Sequence, residues 1–307
     1  MKKVPSYPKV LILGASYTEN ALTGEVILQE KVDGSQFGFG LNEDNELVFR
    51  SHNSSIQKEC IPSMFKGGVE YLLTIEEKIK AFFSPDTYFY CEYLRKPKHN
   101  VLKYDRFPKH HLVLFDVLIK EKWVDREELC KIAEYLDIDM IPELYRGKAD
   151  IDKIKELLNI PSFLGNELIE GVVIKNYNLF IEGSSSPLFT KYVRETFKER
   201  SKIDQKDKES NKQSIEEYIK SFHNEARWQK AYLHLLEQDK IEKQPKDIQK
   251  LINAVKKDII AEEKENIKKD LYKMFIGKIL DYAIKGLPEW YKNKLVQDIV
   301  QDIDNTI

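Results

Sequence analysis

A succession of apolar runs, each carrying charged residues where a buried strand should have none, limits what this chain can become. Lys31 closes Val26-Ile27-Leu28-Gln29-Glu30, Glu92 sits in Thr87–Leu94, and Asp116 in Leu112–Ile119. Glu170 and Lys175 flank Gly171-Val172-Val173-Ile174, and Lys191 follows in Leu188–Val193. A charge removed from water beside a core strand is unfavourable unless it is paired or used. One such residue is commonly an edge position with its head in solvent. A series of them is explained most economically by a sheet-lined pocket into which lysines and carboxylates converge. Lysines and Arg50 suit phosphates, and the acids suit ribose hydroxyls or metal-bound water. Phe115, beside Asp116, offers a flat ring for a base, although alone it would be an ordinary core residue.

The segments between these runs give the fold class. Phe37, Phe39 and Leu41 alternate before a turn at Asn42–Asn45 and a second strand at Glu46–Arg50, the pattern of a β-hairpin. Apolar residues near helical spacing predict a helix over Val69–Phe83, with others at Arg126–Leu136 and Ile151–Leu158. Strands are expected at Thr87–Leu94, Leu112–Ile119, Glu170–Lys175 and Leu188–Val193. The reading is α+β, with antiparallel sheets and flanking helices, for residues 1–200. Lys198 to Gln213 is polar and reads as a linker, and everything beyond it is helical: Ile215–Phe222, Glu225–Leu236, Ile248–Glu263, Ile267–Ile284 and Glu289–Val300. Residues 201–307 are therefore expected to form an all-α domain, with Trp228 and Trp290 in its core.

Composition narrows the function classes. A formal net charge of −2 leaves no global basic field, so any nucleic-acid surface must be local. Cys60, Cys91 and Cys130 form no C-x-x-C pair, which argues against a zinc site or a disulfide framework and suits a reducing cytosol. No signal-peptide pattern or membrane-length apolar run is present, so a soluble cytoplasmic protein with no membrane partner is expected. The basic stretch Arg95-Lys96-Pro97-Lys98-His99-Asn100, continuing to Tyr104-Asp105-Arg106, reads equally as a nucleic-acid contact or a solvated loop. Desolvation and nearby cations would lower the pKa of Lys31 and free its amine as a nucleophile, while Gly34 permits a sharp turn or a close approach.

Lys31-Val32-Asp33-Gly34, Phe89-Tyr90-Cys91-Glu92, Leu114-Phe115-Asp116-Val117, Glu170-Gly171-Val172-Val173-Ile174-Lys175 and Lys191-Tyr192-Val193 occur in the order of motifs I, III, IIIa, IV and V of the covalent nucleotidyltransferases. That superfamily comprises ATP-dependent RNA and DNA ligases and mRNA capping enzymes. The chain most resembles the ATP-dependent RNA ligases of the nick-sealing and RNA-editing kind, over about Glu25 to Phe197. The resemblance implies a nucleotidyltransferase (ATP-grasp-like ligase) domain in which Lys31 takes AMP from ATP through a phosphoramide bond. It further implies that Glu30 reads adenine by main chain or side chain and that Arg50 contacts the nucleotide or the 5′-phosphate. Glu92 would bind ribose, and Phe115 would stack on adenine. Glu170 would organise Mg2+ or Mn2+ through water, or position Lys31. Lys175 and Lys191 would hold the α-phosphate.

Motif V departs from the family pattern, because Val193 stands where a second lysine is common and Arg194 follows it. Glu170 and Lys175 are an odd number of residues apart, so one of them must lie at a strand end or a bulge. The expected reaction joins 5′-phosphate and 3′-hydroxyl RNA ends through lysyl-AMP and an adenylylated RNA end, in RNA repair alongside end-healing enzymes. A DNA ligase or another nucleotidyltransferase remains open, as does a nucleic-acid-binding module without chemistry. The helical tail favours RNA ligation, since an OB-fold barrel would read as short alternating strands.

Overall fold

The computed structural model describes residues 3–14, 18, 20–181, 183–184, 186–194 and 215–304, with side chains through 296. In chain order the strands begin with β1 (Leu11–Ile12), β2 (Val26–Lys31), β3 (Ser35–Leu41), β4 (Leu47–Ser51), β5 (Ser55–Ile56) and β6 (Thr87–Tyr93). They continue with β7 (Leu112–Ile119), β8 (Lys122–Trp123), β9 (Asp139–Met140), β10 (Glu143–Gly147), β11 (Gly171–Phe180) and β12 (Pro187–Val193). Helices α1 (Lys66–Thr74), α2 (Glu76–Phe82), α3 (Arg126–Tyr135) and α4 (Ile151–Leu157) lie among them. Helices α5 (Ile215–Lys220), α6 (Glu225–Glu237), α7 (Ile248–Ala283) and α8 (Leu287–Asp304) follow.

Two sheets organise the strands, in the orders β1-β12-β11-β2-β10 and β5-β4-β3-β6-β7-β8, with β9 beside β7. Pairing is antiparallel apart from the short parallel pairs β1–β12 and β7–β9, which the sequence pattern does not anticipate. Side chains alternate across a strand, so one face of the first sheet carries Val26, Leu28, Val172 and Ile174, which pack with Ile154 and Leu157 of α4. The opposite face carries Gln29 and Lys31, with Val173, Lys175 and Lys191 on the neighbouring strands in matching register. The second sheet buries Phe37, Phe39, Phe49, Phe89 and Leu114 against Leu72, Ile79, Leu129 and Ile132 of α1, α2 and α3. Asp125 and Asp150 cap α3 and α4 by accepting from the Glu128 and Lys153 N–H groups.

The chain leaves the first sheet at Lys31 and enters the second at Ser35, so Val32-Asp33-Gly34 is the crossing between them. Ser35 pairs with Tyr93 and Gln36 with Glu92, while Lys31 pairs with Gly171. Three motifs distant in sequence thus meet where the sheets exchange the chain.

Several elements differ from their expected form. The helix expected over Val69–Phe83 is divided at Ile75 into α1 and α2, and β10 on the edge of the first sheet has no clear alternation to reveal it. The two helices expected to break near residue 265 are one 36-residue helix, α7, because that stretch contains no Gly or Pro and its charged residues favour helix. Trp228 and Trp290 are 43% and 60% exposed and belong to no core. The polar segment expected as a linker, Lys198 to Gln213, lies outside the described residues. The chain divides into two compact units, Met1–Val255 and Lys256–Ile307, so α5 and α6 belong with the sheets rather than with the later helices. No described helix is long and apolar enough to cross a membrane.

Leu28 is fully buried in the cluster beneath the first sheet. Leu28→Ala is expected to lower unfolding free energy by about 2–5 kcal/mol, read from urea unfolding curves. A loss under about 1 kcal/mol would mean that this cluster does not hold the sheet to α4.

Candidate active site

Lys31 Nζ lies 2.7 Å from Glu170 Oε2, with the two side chains 25% and 9% exposed. The contact follows from register. Lys31 is the last residue of β2 and pairs with Gly171, the first of the antiparallel β11, which leaves Glu170 just outside that strand and free of its alternation. The odd spacing of Glu170 and Lys175 is resolved in this way, by a strand end. Glu92 enters from β6 in the second sheet, and Gly34 is where it comes close. A Cβ on Gly34 would lie 2.6 Å from Glu92 Cγ and 2.8 Å from the Tyr93 carbonyl oxygen, so the glycine serves close approach rather than an unusual φ.

This meeting of charges sets the protonation of the site. Burial pushes the Glu92 carboxyl up to about 8, against the pull of Lys31 and helped by the charges of Glu170 and Asp33. Burial likewise raises Glu170 to about 7, with Lys31 and Lys191 opposing the shift and Asp33 adding to it. For Lys31, burial acts downward, but Glu170, Glu92 and Asp33 outweigh it and the net shift is upward. The expectation that Lys31 has a depressed pKa is therefore corrected, because its neighbours are carboxylates rather than cations. The amine is held protonated in the free protein, 2.7 Å from an acid able to share its proton.

Other expected residues are placed differently. Lys175 shares a sheet face with Lys31 but is 2% exposed, and it donates to Asp116 Oδ2 (2.7 Å) and the Phe115 carbonyl (2.9 Å). Burial lowers its pKa against the opposing pull of Asp116. Asp116 also accepts from Tyr7 and, at 2.7 Å, from Tyr177. Phe115 is the extra residue of a bulge, since Tyr90 pairs with Asp116 but Cys91 with Leu114. Its ring meets Tyr7 edge-on at 5.0 Å and stays only partly buried. Arg50 donates to the Val4, Ser51 and His52 carbonyls. The Glu30 side chain is turned to the face opposite Lys31, where it accepts from the Ser162 hydroxyl and the Phe163 N–H. Its side chain is thus engaged away from Lys31. Lys191 lies near enough to Glu170 to act on its titration. Arg194 lies past β12, and its N–H bonds the Glu170 carbonyl at 3.0 Å.

Sequence reasoning missed what holds the crossing in place. Asp33 accepts from the Val101 and Leu102 N–H groups at 2.7 Å each, and its own N–H donates to Tyr104 Oη. Asn100 donates to the Gly34 carbonyl at 2.8 Å, and His99 Nε2 lies 3.0 Å from Ser35 Oγ. The basic loop is thus tied residue by residue to the Lys31 crossing, while Arg95, Lys96 and Lys98 stay exposed. The signal was the position of Asp33, an acid directly before a glycine and just after an apolar strand.

Among the described residues no group of three or more His, Cys, Asp or Glu is placed to hold a metal ion by itself. Glu170 and Glu92, short of cations, fit a hydrated divalent ion held jointly with a ligand's phosphates rather than a protein cage.

A family model described as RNA ligase matches residues 24–193, more than half of the chain. No curated protein matches. Among solved structures, a Naegleria gruberi RNA ligase with pyrophosphate is 14% identical with TM-score 0.48, covering 63% of this chain and 57% of that one. A mutant of the same ligase with ATP and manganese is 15% identical with TM-score 0.48, covering 64% and 58%. A protein from Aquifex aeolicus, provisionally described as an ATP-dependent DNA ligase, is 18% identical with TM-score 0.42, covering 88% and 67%. The chain thus spans under two thirds of the Naegleria protein's length.

The raised carboxyls have a consequence for stability. The folded protein keeps the Glu92 proton up to about pH 8, whereas an unfolded glutamate releases it near its ordinary value of 4.5. The folded state binds more protons in that window, so stability should fall as pH rises through it. Glu92→Gln should show a smaller drop in melting temperature between pH 5 and pH 8.5 than the wild type. An equal or larger drop would show that Glu92 ionises as a solvent-exposed acid does.

Proposed function

This chain belongs to the RNA ligase family, and we propose that it is an ATP-dependent RNA ligase working through a lysyl-AMP intermediate on Lys31. The observation that carries the reading is the Lys31–Glu170 contact at 2.7 Å, with Glu92 at its side, inside the segment that defines the family.

The proposed first step forms a bond from Lys31 Nζ to the α-phosphorus of ATP and breaks the α–β phosphoanhydride, releasing pyrophosphate. Lys31 must lose a proton to attack, and Glu170 is placed to take it. Lys191, on the same sheet face, would stabilise charge on the α-phosphate. Glu92 would hold the ribose, and Phe115, left partly exposed by its bulge, would face the adenine. Mg2+ or Mn2+ would neutralise phosphate charge and would be held through water at Glu170. Lys175 is assigned a supporting part, since its ion pair with Asp116 fixes the strand that presents Phe115. In the later steps AMP would pass to an RNA 5′-phosphate, and a 3′-hydroxyl would then displace it. Exposed Arg95, Lys96 and Lys98, fastened beside Lys31, would meet the RNA backbone. Helices α5–α8 take the place of a barrel and are proposed to support the duplex ends. RNA repair is the proposed setting.

Incubation with divalent metal and ATP labelled at the α-phosphate should label the wild-type protein covalently and leave Lys31→Ala unlabelled. Label that persists in the variant would overturn the nucleophile assignment, and an unlabelled wild type would overturn the ligase reading. Matched RNA and DNA nicks then test the substrate, with RNA sealing expected and DNA-only sealing overturning the choice.

A further inference from the structure

Residues 4–8 precede the segment that defines the family, yet they reach the side chains expected to hold adenine. Several contacts fasten this strap. Val4 is 2% exposed, packs with Tyr88 and Tyr90, and accepts from Arg50 Nη1 through its carbonyl at 2.8 Å. Gly38 leaves it room, since a Cβ there would lie 3.2 Å from Val4 Cγ1. The Pro5 carbonyl accepts from Tyr90 Oη at 3.3 Å. Pro5 and Pro8 also restrict the backbone on both sides of Tyr7. The strap thereby delivers the Tyr7 hydroxyl to Asp116, to which it donates.

The Tyr7 ring is held by rings from both sheets. It stacks on Phe189 of β12 at 5.7 Å, lies 5.1 Å from Tyr90 of β6, and meets Trp123 of β8 edge-on at 5.6 Å. Its remaining contact is the edge-on one with Phe115 at 5.0 Å. Phe115 depends on such a neighbour more than an ordinary strand residue does. As the extra residue of a bulge it has no partner across the ladder to set its side chain, and it is only partly buried. Lys175 Nζ lies 5.3 Å from the same ring, and Asp116 accepts from both Lys175 and Tyr7. One carboxylate thus anchors the two groups that face Phe115.

We infer that Tyr7 is a positioning residue for nucleotide binding: its ring, carried in by a strap outside the family segment, holds Phe115 in the orientation that stacks on adenine. The inference rests on the proposed lysyl-AMP reaction and on the part given there to Phe115.

The test compares Tyr7→Phe, which keeps the ring, with Tyr7→Leu, which removes it, in the full chain and in both wild-type and Phe115→Leu backgrounds. The readout is single-turnover formation of lysyl-AMP across a range of labelled ATP concentrations, with melting curves taken alongside. Tyr7→Phe is expected to keep half-saturating ATP within about twofold of wild type. Tyr7→Leu should raise it about fivefold, the size of one aromatic pair, while the rate at saturation stays within about twofold. A general loosening of the fold would not divide binding from rate in this way. In the Phe115→Leu background Tyr7→Leu should add nothing. Val4→Ala, which loosens the strap and leaves Tyr7 in place, should raise half-saturating ATP about threefold. It replaces Tyr7→Leu if that variant does not melt cooperatively. Unchanged half-saturation in the variant that folds, or a Tyr7→Phe defect as large as that of Tyr7→Leu, would overturn the inference. So would a Tyr7→Leu defect that persists in full without the Phe115 ring, since Tyr7 would then act on the nucleotide by another route. These results leave the ligase reading standing, whereas a wild-type protein that takes no label overturns both.

Discussion

The contact of Lys31 with Glu170 depends on how two sheets share one chain. Lys31 ends β2, Glu170 precedes β11, and their register places Lys31 opposite Gly171. A slip of one residue would carry Glu30 to that position and turn Lys31 to the face packed on α4. The slip is opposed because it would turn Val26 and Leu28 out of the apolar cluster, and Lys31 would not find there the Ser162 and Phe163 donors that satisfy Glu30. Packing on one side of the sheet thus fixes the chemistry on the other.

Close backbone approach then limits which residues can stand at the junction. Gly171 admits no side chain, since a Cβ there would lie 2.5 Å from the Tyr192 carbonyl oxygen and 2.9 Å from Val193 Cα. Gly34 is equally restricted by Glu92 and Tyr93. Two glycines in two motifs therefore bring three strands and two acids within reach of a single lysine. Asp33 extends the arrangement outward by holding the loop that carries the exposed basic residues. Each residue of the short Lys-x-Asp-Gly-Ser stretch has a separate physical task.

Which charged residues would be buried was legible in part, because a lone Asp116 in an apolar run is conspicuous, whereas the equally conspicuous Glu92 stays partly exposed. The strands that carry them were legible too, since β-branched and aromatic runs mark them. Where those charges point was not. Lys175 and Lys31 share a face, but only three-dimensional placement shows that Lys175 belongs to Asp116. Arg50 reads as a phosphate ligand, and three of its donors go to main-chain carbonyls, which no side-chain pattern announces.

The balance of charge bears on the demand for metal. Val193 pairs with Gly171, which pairs with Lys31, so a lysine at 193 would have faced the same side about 10 Å away, two strand spacings across the sheet. Valine removes that cation, and Asp116 holds Lys175. Around Lys31, the proposed nucleophile, the structure sets Lys31 and Lys191 against Glu170, Glu92 and Asp33. An acid-rich site repels a triphosphate unless protons or cations are added, and the raised carboxyls show that it already retains protons. Protons alone serve poorly, because a protonated Glu170 can no longer accept one from Lys31. In the proposed reaction the missing positive charge is therefore best supplied by a divalent ion, which neutralises phosphate while leaving Glu170 ionised as a base.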